Sequence, residues 1–405
     1  MTVQTKKQYE ELNTKTAVSY LINLGLIKTD EETTVAEIGD GNLNYVFHII
    51  SQTTGRSFII KQALPYAKVV GESWPLTLDR ARIEASALKE AAKVVPELVP
   101  KVFHLDPDLA LTVMEDLSHL TILRAGLIAG NQYPLVAEHI GKYLAHTLFT
   151  TSTFGINPQA AKKLAVTYSN PELCKITEDL VFTDPYFNCE TNNFEEHLTP
   201  RVHELWQDKE LKKEVAKLKH LFLTKSETLI HGDLHTGSIF VSETETKVID
   251  PEFSFYGPFG FDIGAFLANL IMNLIAQEGH QQDSEQKEDL QNYLLDTIEK
   301  TWDIFTSEFK KLWLAKSIEP FSELEGYVEE VLTDIWQDAL GFTGCKMIRR
   351  MIGLAHVLDV DSIESAEIRL RVQTSIINLG RKLILERKQI GGVLELVSTV
   401  EGAYS

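Results

Sequence analysis

Along the chain the repeat of apolar and polar positions changes from helical to alternating and back again. Residues 8–27 place Leu12, Val18, Leu21, Leu24 and Leu26 at helix-like spacing, which predicts a helix. Val46, His48 and Ile50 then alternate with Tyr45, Phe47 and Ile49, the period of a strand. Ser57-Phe58-Ile59-Ile60-Lys61 predicts a second strand, ending in a lysine. Residues 62–76 read as loop, punctuated by Pro65, Gly71 and Pro75. A helix is predicted from Leu78, with Thr77 as N-cap and Asp79 in its first turn. Residues 101–105 and 110–114 predict two more strands across a proline-containing turn.

From about residue 131 the pattern is helical, except for a β-rich stretch at 229–250, and helical spacing resumes at 262. A β-rich first third followed by a mostly helical remainder predicts an α+β arrangement. The crossing falls near Glu115-Asp116-Leu117, where no Pro- or Gly-rich linker appears. A chain of 405 residues is also long for one core, so two lobes are expected.

The formal net charge of −19 lacks the basic footprint of a nucleic-acid binder. It also means that any site for an anionic ligand needs locally placed cations. Cys174, Cys189 and Cys345 form an odd, sparse set without a CxxC pair, which argues against a disulfide framework and fits a reducing compartment. Residues 1–10 are polar and lack the apolar core of a signal peptide. The most apolar run, residues 266–276, is broken by Asn269 and Asn273 and reads as a buried helix too short to span a bilayer.

The candidate chemistry lies chiefly in the 229–250 region. Leu229-Ile230-His231-Gly232-Asp233-Leu234-His235 is a β-rich run that delivers Asp233, between two histidines, to a loop. Lys247-Val248-Ile249-Asp250-Pro251-Glu252 delivers two more carboxylates two positions apart. A phosphotransferase needs one carboxylate to orient a hydroxyl and others to hold magnesium. The competing readings are a hairpin tipped with solvated acids, and a zinc site made by the two histidines and Asp233. The turn Ile38-Gly39-Asp40-Gly41-Asn42-Leu43-Asn44-Tyr45 could aim N–H groups at a phosphate, though ordinary hairpins share it. Lys61 could meet ATP phosphates with Glu84 as its helix partner, or merely cap a sheet edge. Asp262, at the front of the most apolar helix, suits the helix dipole and is a candidate to hold catalytic-loop amides. Arg349 and Arg350 are either solvated or inward-pointing groups for a substrate or phosphate oxygen. Trp74 is either a lobe-packing anchor or part of a lid.

Together these pieces resemble the protein-kinase-like superfamily of small-molecule kinases, which includes the aminoglycoside and choline phosphotransferases. His231-Gly232-Asp233-Leu234-His235, with Gly237, Ile239 and the downstream Asp250, carries the match. Glu37-Ile38-Gly39-Asp40-Gly41-Asn42-Leu43-Asn44-Tyr45-Val46-Phe47 extends it, as do the stretches 68–82, 250–253 and 348–356.

The resemblance implies an α+β, bilobal protein-kinase-like fold. Residues 1–114 would form a small β-rich ATP-binding lobe, 115–117 a hinge, and 118–405 a larger, mostly helical lobe with the catalytic loop and acceptor site. It implies ATP with Mg²⁺, phosphorylation of a thio-sugar hydroxyl and a cytoplasmic homodimer, with no nucleic-acid or membrane partner. By position, Asn44, Lys61 and Glu115-Asp116-Leu117 would meet ATP. Asp233 would be the catalytic base, and Asp250 and Glu252 would bind Mg²⁺. Arg349, Arg350, Trp74 and Asp233 would meet the substrate, while Glu84, His231 and Asp262 would support the site. Two departures stand out: the Asp-Phe-Gly of protein kinases is Asp250-Pro251-Glu252 here, and the asparagine expected five residues after the catalytic aspartate is Ser238. A kinase for an amino-alcohol or aminoglycoside is one rival, and a nucleotide-binding pseudokinase is another.

Overall fold

The computed structural model describes residues 9–38, 43–67 and 71–404, with residues 67 and 71–75 described by backbone alone. The turn Gly39-Asp40-Gly41-Asn42 and the Trp74 side chain, both singled out above, lie outside the described residues. By packing, the chain divides into two units. One comprises residues up to Leu120 together with Lys247–Phe253, and the other comprises Thr121–Thr246 and Ser254 onward.

The first unit is built on a sheet whose order is β1-β2-β3-β7-β6, with β1 Thr33–Glu37, β2 Asn44–Ser51, β3 Ser57–Ala63, β6 Val102–Asp106 and β7 Leu111–Met114. Every neighbouring pair runs antiparallel. The alternation predicted for β2 buries Phe47 and Ile49, which pack with Phe58 and Ile60 of β3 and Leu111 and Val113 of β7. Helix α1, Thr14–Asn23, closes this core with Ala17 and Leu21. It is shorter than the predicted 8–27, for a local reason at each end. Asn13 accepts from the amides of Lys15 (3.0 Å) and Thr16 (3.1 Å), and Thr16 Oγ1 accepts from Asn13 N–H at 2.8 Å, a closed capping box. Beyond the other end Gly25 takes φ +70°, which an α-helix cannot continue through.

Residues 62–76 are not the loop expected. β3 runs on to Ala63, and Tyr66–Ala67 (β4) pairs with Gly71–Pro75 (β5). Helix α2, Arg80–Ala91, starts later than predicted; Thr77 Oγ1 accepts from Asp79 N–H at 3.2 Å in the turn before it.

In the second unit, the short strand Thr228–Ile230 pairs antiparallel with Phe255–Gly257, and Ile239–Val241 pairs with Thr121–Ile122. Beneath them runs the helix Gly260–His280, buried at every residue from Gly260 to Gln277. It is long and apolar enough to cross a membrane by composition, yet its apolar stretch is wholly enclosed by protein. Against it lies the long helix Tyr327–Ile352, buried from Asp338 to Ile352. Their close approach depends on Gly264, where a Cβ would stand 2.6 Å from the Ala339 carbonyl oxygen. This helix pair brings the front of one helix and the rear of the other to the loop after Ile230.

Candidate active site

In the first unit, strand β3 and helix α2 set a lysine beside carboxylates. Lys61, paired in register with Val46 and Thr112, extends its Nζ to Glu84 Oε1 at 2.9 Å and to Asp250 Oδ1. Burial alone would lower the lysine, but Asp250, Glu84 and Glu252 hold it above its ordinary value. Burial, with Asp250 and Glu252 close by, pushes the Glu84 carboxyl up against the pull of Lys61. Asp250 itself has φ +69°, a left-handed conformation uncommon outside glycine and typical of functional loops.

A residue singled out by no sequence argument completes this cluster. Arg80 is fully buried. It donates to Asn44 Oδ1 (2.6 Å), Glu252 Oε2 (2.9 Å), the Leu64 carbonyl (2.9 Å) and the Leu43 carbonyl. One guanidinium thus joins the start of β2, the chain after β3 and the Asp250-Pro251-Glu252 segment, the multi-point use that favours arginine over lysine. At residues 115–117, Glu115 Oε2 accepts from Lys101 N–H at 2.9 Å and the Asp116 carboxylate receives His48 Nε2 (2.8 Å) and Ser118 N–H (2.9 Å). Leu117 is buried.

In the second unit, the loop after Thr228–Ile230 turns at Gly232, whose φ of +86° favours glycine. Asp262, in the first turn of the helix Gly260–His280, accepts from His231 N–H at 2.6 Å and Gly232 N–H at 2.9 Å. His231 Nδ1 accepts from Asp233 N–H at 3.3 Å, so this nitrogen braces the turn and is not available to a zinc ion. His235 lies 3.5 Å from Asp233 Oδ2 by its Nε2, and its Nδ1 lies 3.2 Å from Ser238 Oγ. Burial and the cations Arg124, Arg350 and Lys346 push His235 well below its usual range against the pull of Asp233.

The cations come from the long helix. Arg349 and Arg350 are buried rather than solvated, at 7% and 9% exposure. Arg350 Nη1 donates to the carbonyls of Ala355 (3.2 Å) and His356 (3.1 Å), whereas Arg349 Nε meets no acceptor among the described residues. One turn earlier is Lys346, which the sequence reading passed over; its Nζ donates to Asp233 Oδ1 at 2.9 Å. Burial would raise the Asp233 carboxyl, but Lys346, His235, Arg349 and Arg350 together hold it well below the usual carboxylate range. Arg124, also unforeseen, lies 3.1 Å from Asp359 by its Nε and donates to Asn269 at 3.0 Å. In a chain of charge −19, this is the local concentration of cations that an anionic ligand requires.

A carboxylate in a braced glycine turn, ringed by buried cations, together with a strand lysine paired to a helix glutamate, defines a small-molecule kinase. Residues 34–301 match the phosphotransferase enzyme family. The chain is 54% identical to a methylthioribose kinase of Geobacillus sp. (strain WCH70) over 98% of its length and 97% of that protein's. It is 55% identical to one from Geobacillus kaustophilus, covering 96% of each. Among solved structures, an ethanolamine kinase from Plasmodium vivax is similar over 93% of this chain and 91% of that one, at 14% identity and a TM-score of 0.49. The chain therefore belongs to the phosphotransferase enzyme family and, within it, to the methylthioribose kinases.

Proposed function

We propose that this enzyme transfers the γ-phosphoryl group of ATP to the 1-hydroxyl of 5-methylthioribose, giving the 1-phosphate and ADP, a step of methionine salvage. The observation that carries the acceptor reading is Arg349. Its Nε meets no acceptor among the described residues and it lies one helical turn from the Lys346–Asp233 pair, so this donor is open to an oxygen of a bound acceptor. A neutral sugar offers oxygens. A cationic amino-alcohol or aminoglycoside would instead face Lys346, Arg349 and Arg350 with like charge, which speaks against that rival. A pseudokinase would not need Lys61, Asp233 and Asp250 together.

In this reading Asp233 accepts a hydrogen bond from the acceptor hydroxyl. The hydroxyl oxygen bonds to the γ-phosphorus as the bond to the β–γ bridging oxygen breaks, and the proton passes late to Asp233. Because its carboxyl is held low, Asp233 orients the hydroxyl more than it deprotonates it. Lys61, steadied by Glu84, meets the ATP phosphates. Asn44 already gives its carbonyl oxygen to Arg80, so its amide nitrogen is the group left for the nucleotide. The side chains of Glu115 and Asp116 are engaged locally, Glu115 N–H donates to the Lys101 carbonyl and the Leu117 carbonyl accepts from Leu120 N–H, so the other backbone groups of residues 115–117 are what remain for the adenine edge.

Asp250 and Glu252 suit Mg²⁺, which uses one or two carboxylates and keeps waters and phosphate oxygens for the rest. Bound there, the ion would neutralise charge on the β- and γ-phosphates. Trp74 is assigned to the acceptor side, and a cytoplasmic homodimer completes the proposal. The test is ATP consumption with methylthioribose, ribose, choline and kanamycin as acceptors. Turnover confined to methylthioribose is expected, and turnover of choline or kanamycin instead would overturn the reading.

A further inference from the structure

We propose that Lys346 is a positioning residue of the phosphoryl transfer: its ammonium pins Oδ1 of Asp233, so that Oδ2 alone receives the hydrogen bond of the acceptor hydroxyl and later its proton. The inference rests on the reading of Asp233 given above.

The geometry starts with the helix. Lys346 stands three residues before Arg349 and four before Arg350, so each arginine neighbours it on the helix Tyr327–Ile352, one to either side. Lys346 is 4% exposed, and its Nζ lies 4.7 Å from the centre of the Phe261 ring, which covers it on one side. Asp233 Oδ1, at 2.9 Å, is its one hydrogen-bond partner among the described residues. A lysine this deep is expensive unless paired, so its position is fixed by the carboxylate it meets. The same bond fixes the carboxylate, whose side chain is still 22% exposed and so open to a substrate. The other oxygen, Oδ2, accepts no hydrogen bond among the described residues; His235 Nε2 lies 3.5 Å from it, too long to compete with a hydroxyl donor.

Charge balance gives the lysine its second effect. Before transfer, Asp233 is anionic and Lys346 offsets it. As the hydroxyl oxygen bonds to phosphorus, its proton goes to Oδ2 and Asp233 becomes neutral. Negative charge then resides on the new phosphate monoester, to which Lys346, Arg349 and Arg350 remain opposed. The groups facing Lys346 are Asp233, Asp262, Arg349 and Arg350. Those facing Asp233 are Lys346, His235, Arg349 and Arg350, with His231 Nδ1 on its amide. Of the cations, Lys346 alone hydrogen-bonds the carboxylate, and it comes first among the groups that hold Asp233 low. Its removal should raise the pH at which Asp233 protonates.

The experiment compares Lys346→Met, Lys346→Arg, Asp233→Asn and the double variant Asp233→Asn/Lys346→Met. Lys346→Met should lower kcat about a hundredfold while the KM for ATP changes less than about twofold. The acid limb of its kcat profile should move up by about one pH unit or more. Lys346→Arg, which keeps a cationic donor, should regain about tenfold of the loss. In the Asp233→Asn background, Lys346→Met should change the residual rate less than about threefold, because the two act as one unit. ADP binding at wild-type strength identifies folded variants. A near-wild-type kcat for folded Lys346→Met, an unmoved acid limb, or a full hundredfold loss in the Asp233→Asn background would each overturn the proposal. The same four proteins are compared in the slow hydrolysis of ATP, where water takes the acceptor's place. A wrong acceptor sugar would abolish only the first assay, so the two failures are distinguishable.

Discussion

At the residue scale, the roles proposed for Asp233 and Arg349 carry separate signatures. Asp233→Asn should nearly abolish turnover while ADP and ATP still bind, because the carboxylate acts on the acceptor; near-normal turnover would remove Asp233 from that role. Arg349→Lys keeps the charge and loses the planar fork, so turnover of methylthioribose should fall about tenfold, roughly 1.4 kcal/mol at the transition state, with ATP affinity unchanged. Steady-state kinetics in the acceptor checks it, and a normal kcat/KM would move the acceptor site away from Arg349. Asp233 was legible in the sequence as a candidate by its glycine turn between histidines, whereas the Arg349-Arg350 doublet left a solvated surface and an inward-pointing group both open until burial decided between them. Lys346 and Arg80 were not legible. A single lysine or arginine in an amphipathic stretch reads as solvated surface, and only tertiary packing shows that it is enclosed. The one available signal was spacing, since Lys346 precedes the arginine pair by one helical turn.

At the scale of elements, the site depends on how closely two helices pack and on how the loop after the second is tied. Gly264→Ala would press a methyl group against the Ala339 carbonyl oxygen from a starting separation of 2.6 Å. Since backbone and not a pliable side chain must yield, the expected loss is about 1–3 kcal/mol of stability. Activity should fall with it, because Asp262 and Lys346 ride on the two helices that would be parted. Denaturant unfolding with parallel kinetics tests this, and unchanged stability would show that the helices can separate freely. The loop after Ile352 is held differently. His356 Nδ1 faces Asp361 Oδ1 at 3.3 Å, and Nε2 meets the Asn193 carbonyl. Two acceptors on one ring favour the imidazolium, and the Asp361 hydrogen bond raises the His356 pKa against burial. A raised folded pKa contributes stability that is complete below the unfolded value of about 6.5 and is lost as pH rises through the folded value. His356→Gln should therefore lower Tm more at about pH 5.5 than at about pH 9. Equal losses at both would show the ring is neutral in the folded protein. Element prediction succeeded where the alternation was regular, as in β2, and where a long apolar run marked a buried helix, Gly260–His280. It failed at residues 62–76, where Pro65, Gly71 and Pro75 imitate a loop although β3 continues and a short hairpin follows.

The whole molecule adds something neither scale contains: the segment Lys247–Phe253 packs with the first unit although the chain on both sides of it belongs to the second. Alternation and helical spacing outline the two regions but carry no sign of this exchange, because it depends on which partners Asp250 and Glu252 find. In the first unit they find Lys61 and Arg80, so the candidate metal carboxylates are embedded in a cluster of two cations and three acids, Glu84 included. That cluster gives the metal question a definite form. Ser238, which stands where the wider superfamily has an asparagine, is buried and has its hydroxyl 3.2 Å from His235 Nδ1. A hydroxyl engaged in this way has little to offer a hard cation, whereas Glu252 keeps a carboxylate two residues from Asp250. Glu252→Gln should therefore raise the Mg²⁺ concentration for half-maximal activity about tenfold or more, and Ser238→Ala less than about twofold. Glutamine can still accept from Arg80, so the cluster's architecture should survive the change. The distinguishing measurement is rescue: at saturating ATP, excess Mg²⁺ should restore most of the kcat of Glu252→Gln if the carboxylate serves the metal. A defect that no amount of Mg²⁺ relieves would assign Glu252 to the Arg80 ion pair alone, and equal Mg²⁺ requirements for the two variants would leave Ser238 and Glu252 without distinct roles.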